Sequence, residues 1–164
     1  MNSLSTSEHR ELAEKIAAVL IEKEQTIAVA ETTTGGLVSA ALLSVSGASR
    51  YYAGGGVLYT LNSRIALAGV PAKEYENYRG TNPELILSLA SSMRDKLGST
   101  WCISESGLAG PGGGRFGGQL GRTVIGIDGP VQRTETFHTG LQGREENMSA
   151  FTTLTLQFIL DAIQ

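Results

Sequence analysis

Ile27 to Ala30 is a near-continuous apolar run that stops at Glu31. It reads as a short strand buried on both faces. The chain then passes through Thr32-Thr33-Thr34-Gly35-Gly36 and enters Leu37 to Leu43, an Ala- and Leu-rich stretch that reads as a helix closed by Gly47. A strand covered on both faces needs a helical layer above and below it. That requirement sets the terms for everything that follows in the chain.

The remaining segments supply those layers. Ser5 and Glu8 have the spacing of a capping box, and Leu12, Ile16, Val19 and Leu20 then fall on one helical face. A strand is expected from about Gly56 to Tyr59, with a bend or close backbone approach at Gly54, Gly55 and Gly56. Asn62 to Ala68 reads as a short helix closed by Gly69, with Pro71 beyond. Asn82-Pro83 is an N-cap followed by proline at the first helical position. Leu85, Leu89, Met93 and Leu97 share a face of that helix, and Gly98 stops it. Trp101 to Ser104 is another apolar strand. Thr123 to Ile127 and Thr134 to His138 form a hairpin across Asp128-Gly129-Pro130, and a last helix starts near Arg144. Helices alternating with strands, with one late hairpin, predict a mixed sheet between helical layers in a single domain of 164 residues.

Composition removes several classes of function. The net charge of -3 argues against sequence-independent nucleic-acid binding. No apolar run approaches the roughly 20 residues that cross a bilayer. The polar stretch Met1 to Arg10 lacks the apolar core of a signal peptide, so a cytoplasmic location is expected. The single cysteine, Cys102, excludes an internal disulfide, and neither His9 nor His138 has a plausible metal-ligand partner. His9 falls on the polar part of the first helix and His138 at a strand end, so both read as structural or surface groups, and Cys102 as a small buried hydrophobe.

The 21 glycines are concentrated in a few loops. Two of these follow strands, where α/β folds place their ligands. The first, Glu31 to Gly36, offers three hydroxyls ahead of a helix N-terminus, a setting suited to a phosphate or a developing oxyanion, or to an ordinary threonine-capped turn. The second runs from Gly107 to Gly118 and serves either as a backbone cradle or lid, or as a flexible surface loop. It is neither a Walker A loop nor a dinucleotide fingerprint. Arg115 and Phe116 sit within it. Nine arginines against four lysines suit bidentate phosphate binding, although Arg64 and Arg144 each read singly as surface charges. Glu31 and Glu105 both end strands. If those strands are neighbours, the pair suits either acid–base work or a cap and a buried hydrogen bond.

Taken in order, these segments resemble the C-terminal domain of CinA, the nicotinamide-mononucleotide deamidase family. The resemblance rests on Ala30 to Gly36, Val45 to Ser49, Tyr59 to Arg64, Leu67 to Pro71, Ser106 to Gly113 and Gly143 to Glu146. It runs from about residue 8 to the C-terminus. It implies a three-layer α/β/α sandwich with a mixed central sheet. In active members it implies hydrolysis of the carboxamide of nicotinamide mononucleotide to nicotinate mononucleotide and ammonia, within pyridine-nucleotide salvage. It implies no metal or organic cofactor, and often a homodimer. The family's serine falls at Thr32, its threonine at Thr34, its tyrosine at Tyr59, its lysine at Arg64 and its arginine at Arg144.

The resemblance therefore nominates Thr32, Tyr59 and Arg64 for catalysis. For binding a small phosphorylated, nucleotide-like substrate it nominates Thr33, Thr34, Gly35, Gly107, Gly110, Gly112 and Arg144. The departures from the family pattern are chemical. Thr32 adds a methyl beside the attacking hydroxyl, and Thr33 replaces a cysteine. Arg64 replaces a lysine and stays protonated, so it cannot act as a base. Glu105 places a carboxylate where the family usually has an apolar or small residue, which offers a third alternative, a replacement base or a changed ligand. Either an amidohydrolase or a non-catalytic relative that keeps the pocket would carry these residues.

Overall fold

The computed structural model describes residues 4–164; the first three residues of the polar N-terminal stretch lie outside the described residues. In chain order the elements are α1 (Ser7–Glu22), β1 (Ile27–Glu31), α2 (Leu37–Leu43), β2 (Tyr52–Val57), α3 (Leu61–Ala68), α4 (Pro83–Leu97), β3 (Trp101–Gly107), β4 (Arg122–Asp128), β5 (Arg133–His138) and α5 (Arg144–Ile163). Short 3-10 turns precede β2 and α4. The five strands form one sheet in the order β2-β1-β3-β4-β5. β1 runs parallel to β2 and β3, while β3, β4 and β5 pair antiparallel, so the sheet is mixed.

The two sheet faces are built from residues of different size. Ile27, Val29, Trp101, Ile103, Ile125 and Ile127 face α1, α2 and α5 in one core. Ala28, Ala30 and Cys102 face α3 and α4 in the other, with Leu89, Ala90 and Met93 of α4 against them. Alternate residues of a strand point to opposite faces, so IAVA places Ile and Val on one side and two alanines on the other. The small side lets α4 lie close to the sheet. The result is an α/β/α sandwich of three layers, as the resemblance implies.

Four local expectations need correction. The N-cap of α1 is Thr6, one residue after Ser5, because the ring of His9 reaches back to the Thr6 amide while the Thr6 hydroxyl accepts the His9 amide. His9 is not on a polar face. It is buried, with Nε2 2.9 Å from Thr153 Oγ1 and 3.1 Å from Ser149 O of α5, and burial lowers its pKa. The strand expected at Gly56 to Tyr59 lies earlier, at Tyr52–Val57. Its glycines are part of the pairing, since a Cβ at Gly55 would run into the main chain of Val29. The core stripe of α4 is rotated by a residue. Ile86, Leu89, Ala90 and Met93 are buried, whereas Leu97 is exposed at its C-terminus.

The end of β3 shows how tightly the layers meet. A Cβ at Gly107 would stand 2.7 Å from Arg122 O, 2.8 Å from the Phe151 ring and 2.8 Å from Thr123 Cβ. Main chain and a core ring cannot both give way. Overpacking of this kind costs about 1–3 kcal/mol. Gly107→Ala is therefore expected to lower the melting temperature by several degrees. An unchanged thermal unfolding midpoint would show that β3 and β4 can separate here without penalty.

Candidate functional site

At the carboxyl ends of β1 and β3 the chain builds a knot of polar groups beneath the threonine loop. Glu31 and Glu105 are direct partners in the parallel β1–β3 register, and both are fully buried. Glu31 turns its carboxylate into the start of α2. It accepts the amides of Gly36 (2.8 Å), Val38 (3.2 Å) and Ser39 (3.0 Å) and the hydroxyl of Ser39 (2.7 Å). Glu105 Oε1 accepts the amides of Thr32 (2.9 Å) and Thr34 (2.8 Å). Thr34 Oγ1 lies 2.7 Å from Glu31 Oε1 and 2.8 Å from Glu105 Oε1. Its single proton can serve only one of the two carboxylates.

Burial pushes the Glu105 carboxyl above the ordinary range; the bonds from Thr34 and Thr32 oppose that rise, and the charge of Glu31 adds to it. Glu105 Oε2 is buried with no partner among the described residues. Of the two roles open to this pair, the geometry gives the structural one: Glu31 caps α2 and Glu105 pins the threonine loop. It also corrects the expectation that α2 offers free amides. The N–H groups of Thr34, Gly36, Val38 and Ser39 are taken by the two glutamates, and that of Gly35 by Thr32 O.

Above the knot opens a cavity of about 790 Å³. Thr32 and Thr33 form part of its floor. The Thr32 hydroxyl donates to the main-chain oxygen of Glu105 at 3.0 Å. Thr33 Oγ1 donates to Gly107 O and accepts Gly107 N–H, both at 2.9 Å, tying the first glycine loop to the second. Among the described residues the Thr33 amide has no acceptor.

Arg64 enters from α3, a helix capped by Thr60 at one end and Gly69 at the other. It is only 4% exposed. Nε donates to Leu58 O at 3.2 Å and Nη2 to Ser106 Oγ at 3.3 Å. The ion pairs of the described residues are Arg10–Glu14 and Arg94–Asp128, so Arg64 has no carboxylate partner. Burying an unpaired charge is costly, and an anion in the cavity would offset that cost. Ser106 Oγ also accepts the Thr81 hydroxyl at 2.9 Å, and Thr81 O accepts Arg122 Nη1 at 3.3 Å. Arg64 and Arg122 thus share one polar floor.

The nominated residues divide cleanly. Thr32, Thr33, Tyr59, Arg64 and Gly107 line the cavity. Thr34 is buried beneath it, Gly35 is exposed outside it, and Gly110 and Gly112 are not on its wall. Arg144 is also off the wall. It lines a second cavity and touches the first through Tyr59: Nη1 donates to Gly110 O at 2.6 Å and Nη2 to the Tyr59 hydroxyl at 3.4 Å. Reading the sequence missed Arg79, Thr81, Ser106 and Arg122 as wall residues. The excess of arginine over lysine was the only trace of the two arginines, whereas Ser106 opens one of the segments that carry the resemblance.

Residues 9–163 match the CinA C-terminal domain. The chain belongs to the CinA family. A CinA-like protein of Rippkaea orientalis is 30% identical over 158 residues, covering 96% of this chain and 38% of that protein. One from Parasynechococcus marenigrum is 37% identical over 119 residues, covering 73% of this chain and 28% of its own. The chain thus spans well under half of these curated relatives. Among solved structures, a competence or damage-inducible protein from Enterobacter asburiae superposes with a TM-score of 0.87 at 24% identity, over 100% of both chains. A CinA superfamily protein from Escherichia coli gives a TM-score of 0.89 at 20% identity, over 98% of this chain and 94% of its own. These likenesses establish the fold.

Because the Glu105 pKa is raised, folding binds its proton more tightly than the unfolded chain does. The stability it contributes is present below the unfolded value, about 4.3 for glutamate. It is lost as pH rises from there through the raised folded value. Glu105→Gln keeps an acceptor for Thr32 and Thr34 but cannot ionise. Denaturant midpoints measured from pH 4 to pH 8 should therefore move in favour of the variant as pH rises. A difference that stays constant with pH would show that Glu105 ionises in the fold without penalty.

Proposed function

We propose that this cavity binds nicotinamide mononucleotide, or a ligand of that class, and hydrolyses its carboxamide to a carboxylate and ammonia. The observation that carries the reading is Arg64, a guanidinium buried without a counter-ion among the described residues, on the wall of the same cavity as Thr32 and Thr33. In this reading Arg64 and Arg122 hold the phosphate, and Thr32 attacks the amide carbon. The Thr33 amide stabilises the oxyanion, in place of the amides of α2. Tyr59 takes the Thr32 proton and Arg144 holds Tyr59. Tyr59 returns that proton to the amide nitrogen, which leaves as ammonia, and water then hydrolyses the Thr32 ester to free the carboxylate and restore the hydroxyl.

A second reading has an observation of its own. Neither lysine, histidine nor carboxylate lines the cavity. A pocket that keeps its anion site but offers only phenols as bases suits binding without turnover.

Incubating the protein with nicotinamide mononucleotide while following ammonia and nicotinate mononucleotide separates the two. Turnover should be abolished by Thr32→Ala, and Arg64→Ala should weaken mononucleotide binding roughly 10- to 100-fold. Binding without product at high protein concentration would sink the hydrolytic reading and leave the second.

A further inference from the structure

The cavity carries more positive charge than one phosphate needs. Four arginines line it, Arg64, Arg79, Arg115 and Arg122, and no acidic side chain does. They fall into two groups. Arg64 and Arg122 are joined at the floor through Ser106 and Thr81. Arg79 and Arg115 are both exposed and belong to a different cluster. Each guanidinium carbon lies 5.9 Å from the centre of the Phe116 ring. Tyr78 braces that ring edge-on, with centroids 5.6 Å apart and planes at 79°. The Tyr78 hydroxyl is 3.2 Å from Thr81 Oγ1, which connects the outer cluster to the floor.

Both guanidiniums lie against the same ring, and cation–π attraction gives neither of them a counter-charge. None of the ion pairs of the described residues reaches either of them. The cavity volume, about 790 Å³, also lies in the upper part of the roughly 300–1,000 Å³ range of small-molecule sites.

We propose that Arg79, Arg115 and Phe116 form a second anion subsite, and that within the proposed ligand class the cavity prefers a pyrophosphate-linked nucleotide to a mononucleotide. The inference rests on the reading of this cavity as a nucleotide site, and it extends the substrate class. The inner phosphoryl group sits on Arg64 and Arg122, the outer one on Arg79 and Arg115. The reaction at the carboxamide is unchanged by the extension: amide and water give carboxylate and ammonia.

Nicotinamide mononucleotide and nicotinamide adenine dinucleotide share the nicotinamide ribosyl half and carry about the same total phosphate charge, so comparing them reads where a second phosphoryl group and its nucleoside are held rather than the effect of added charge. Titration calorimetry of the full chain should show the dinucleotide binding at least about tenfold tighter. The double variant Arg79→Ala, Arg115→Ala should bring the dinucleotide down to the mononucleotide's affinity. Both positions are exposed, and an unchanged melting temperature verifies that the variant is folded.

Equal affinities, or a gap that survives the double variant, would overturn the subsite. If the mononucleotide binds and is hydrolysed while the dinucleotide gains nothing, the subsite falls and the amidohydrolase reading stands. If the gap appears but neither ligand yields ammonia, the subsite stands and the amidohydrolase reading falls. Binding of neither would overturn both.

Discussion

Everything at this end of the molecule hangs on two glutamates that the β1–β3 register sets side by side. Parallel pairing gives Glu31 and Glu105 no choice of neighbour. Two buried carboxylates at that spacing repel, so each must be compensated locally. Glu31 finds its compensation in the amides and positive end of α2. Glu105 finds less, two amides and a share of one hydroxyl, and burial lifts its pKa beyond what those bonds recover, with the charge of Glu31 a smaller addition. The conformation of Thr32-Thr33-Thr34 is the geometric solution to that pairing. The loop is held from beneath by side chains of its own strand and its neighbour.

That solution decides where a ligand's charge can be met. In many α/β proteins a helix N-terminus after the first strand greets the phosphate. Here Glu31 already occupies it, so a second anion at the same place would be repelled. Positive charge is supplied by side chains instead, and it comes from segments that lie far apart in sequence: Arg64 on α3, Arg79 before α4, Arg115 in the glycine loop and Arg122 at the start of β4. The second glycine loop makes this possible. Thr33 clips its first glycine to the β1 end, and Asn147 of α5 donates to Ala109 O and Leu141 O at 3.1 Å each, holding the loop's root. Arginines can then converge over a cradle with little side-chain bulk of its own.

The fold was legible because its signals are local. The IAVA run, the proline-led start of α4, and the glycines that end α3 and α4 each settle a boundary through backbone chemistry alone. β2 was placed too late because its glycines suggest a bend. They are needed instead for close contact with β1, a tertiary fact. His9 was misplaced for the same reason: its partners Ser149 and Thr153 stand about 140 residues away. In the candidate site, Thr32, Thr33, Tyr59, Arg64 and Gly107 were reachable through a linear motif. Arg79, Thr81 and Arg122 were not, because no spacing links residues that only the strand order brings together.

The exchange of a lysine for Arg64, read from the family resemblance, takes on a sharper meaning in this setting. A buried ammonium can shed its proton when no anion is bound, and so tolerate an empty pocket. A guanidinium cannot. Arg64 keeps its charge whether or not the cavity is filled, supported only by neutral oxygens at Leu58 and Ser106. Tyr75 lies near enough for the guanidinium to oppose the rise that burial imposes on its phenol, yet its hydroxyl makes no hydrogen bond among the described residues. The substitution thus trades a group whose charge can vary for one whose charge is permanent. It strengthens the demand for an anion and removes a candidate base in a single step. For hydrolysis to survive that trade, the proton of Thr32 must leave by a route that does not pass through residue 64.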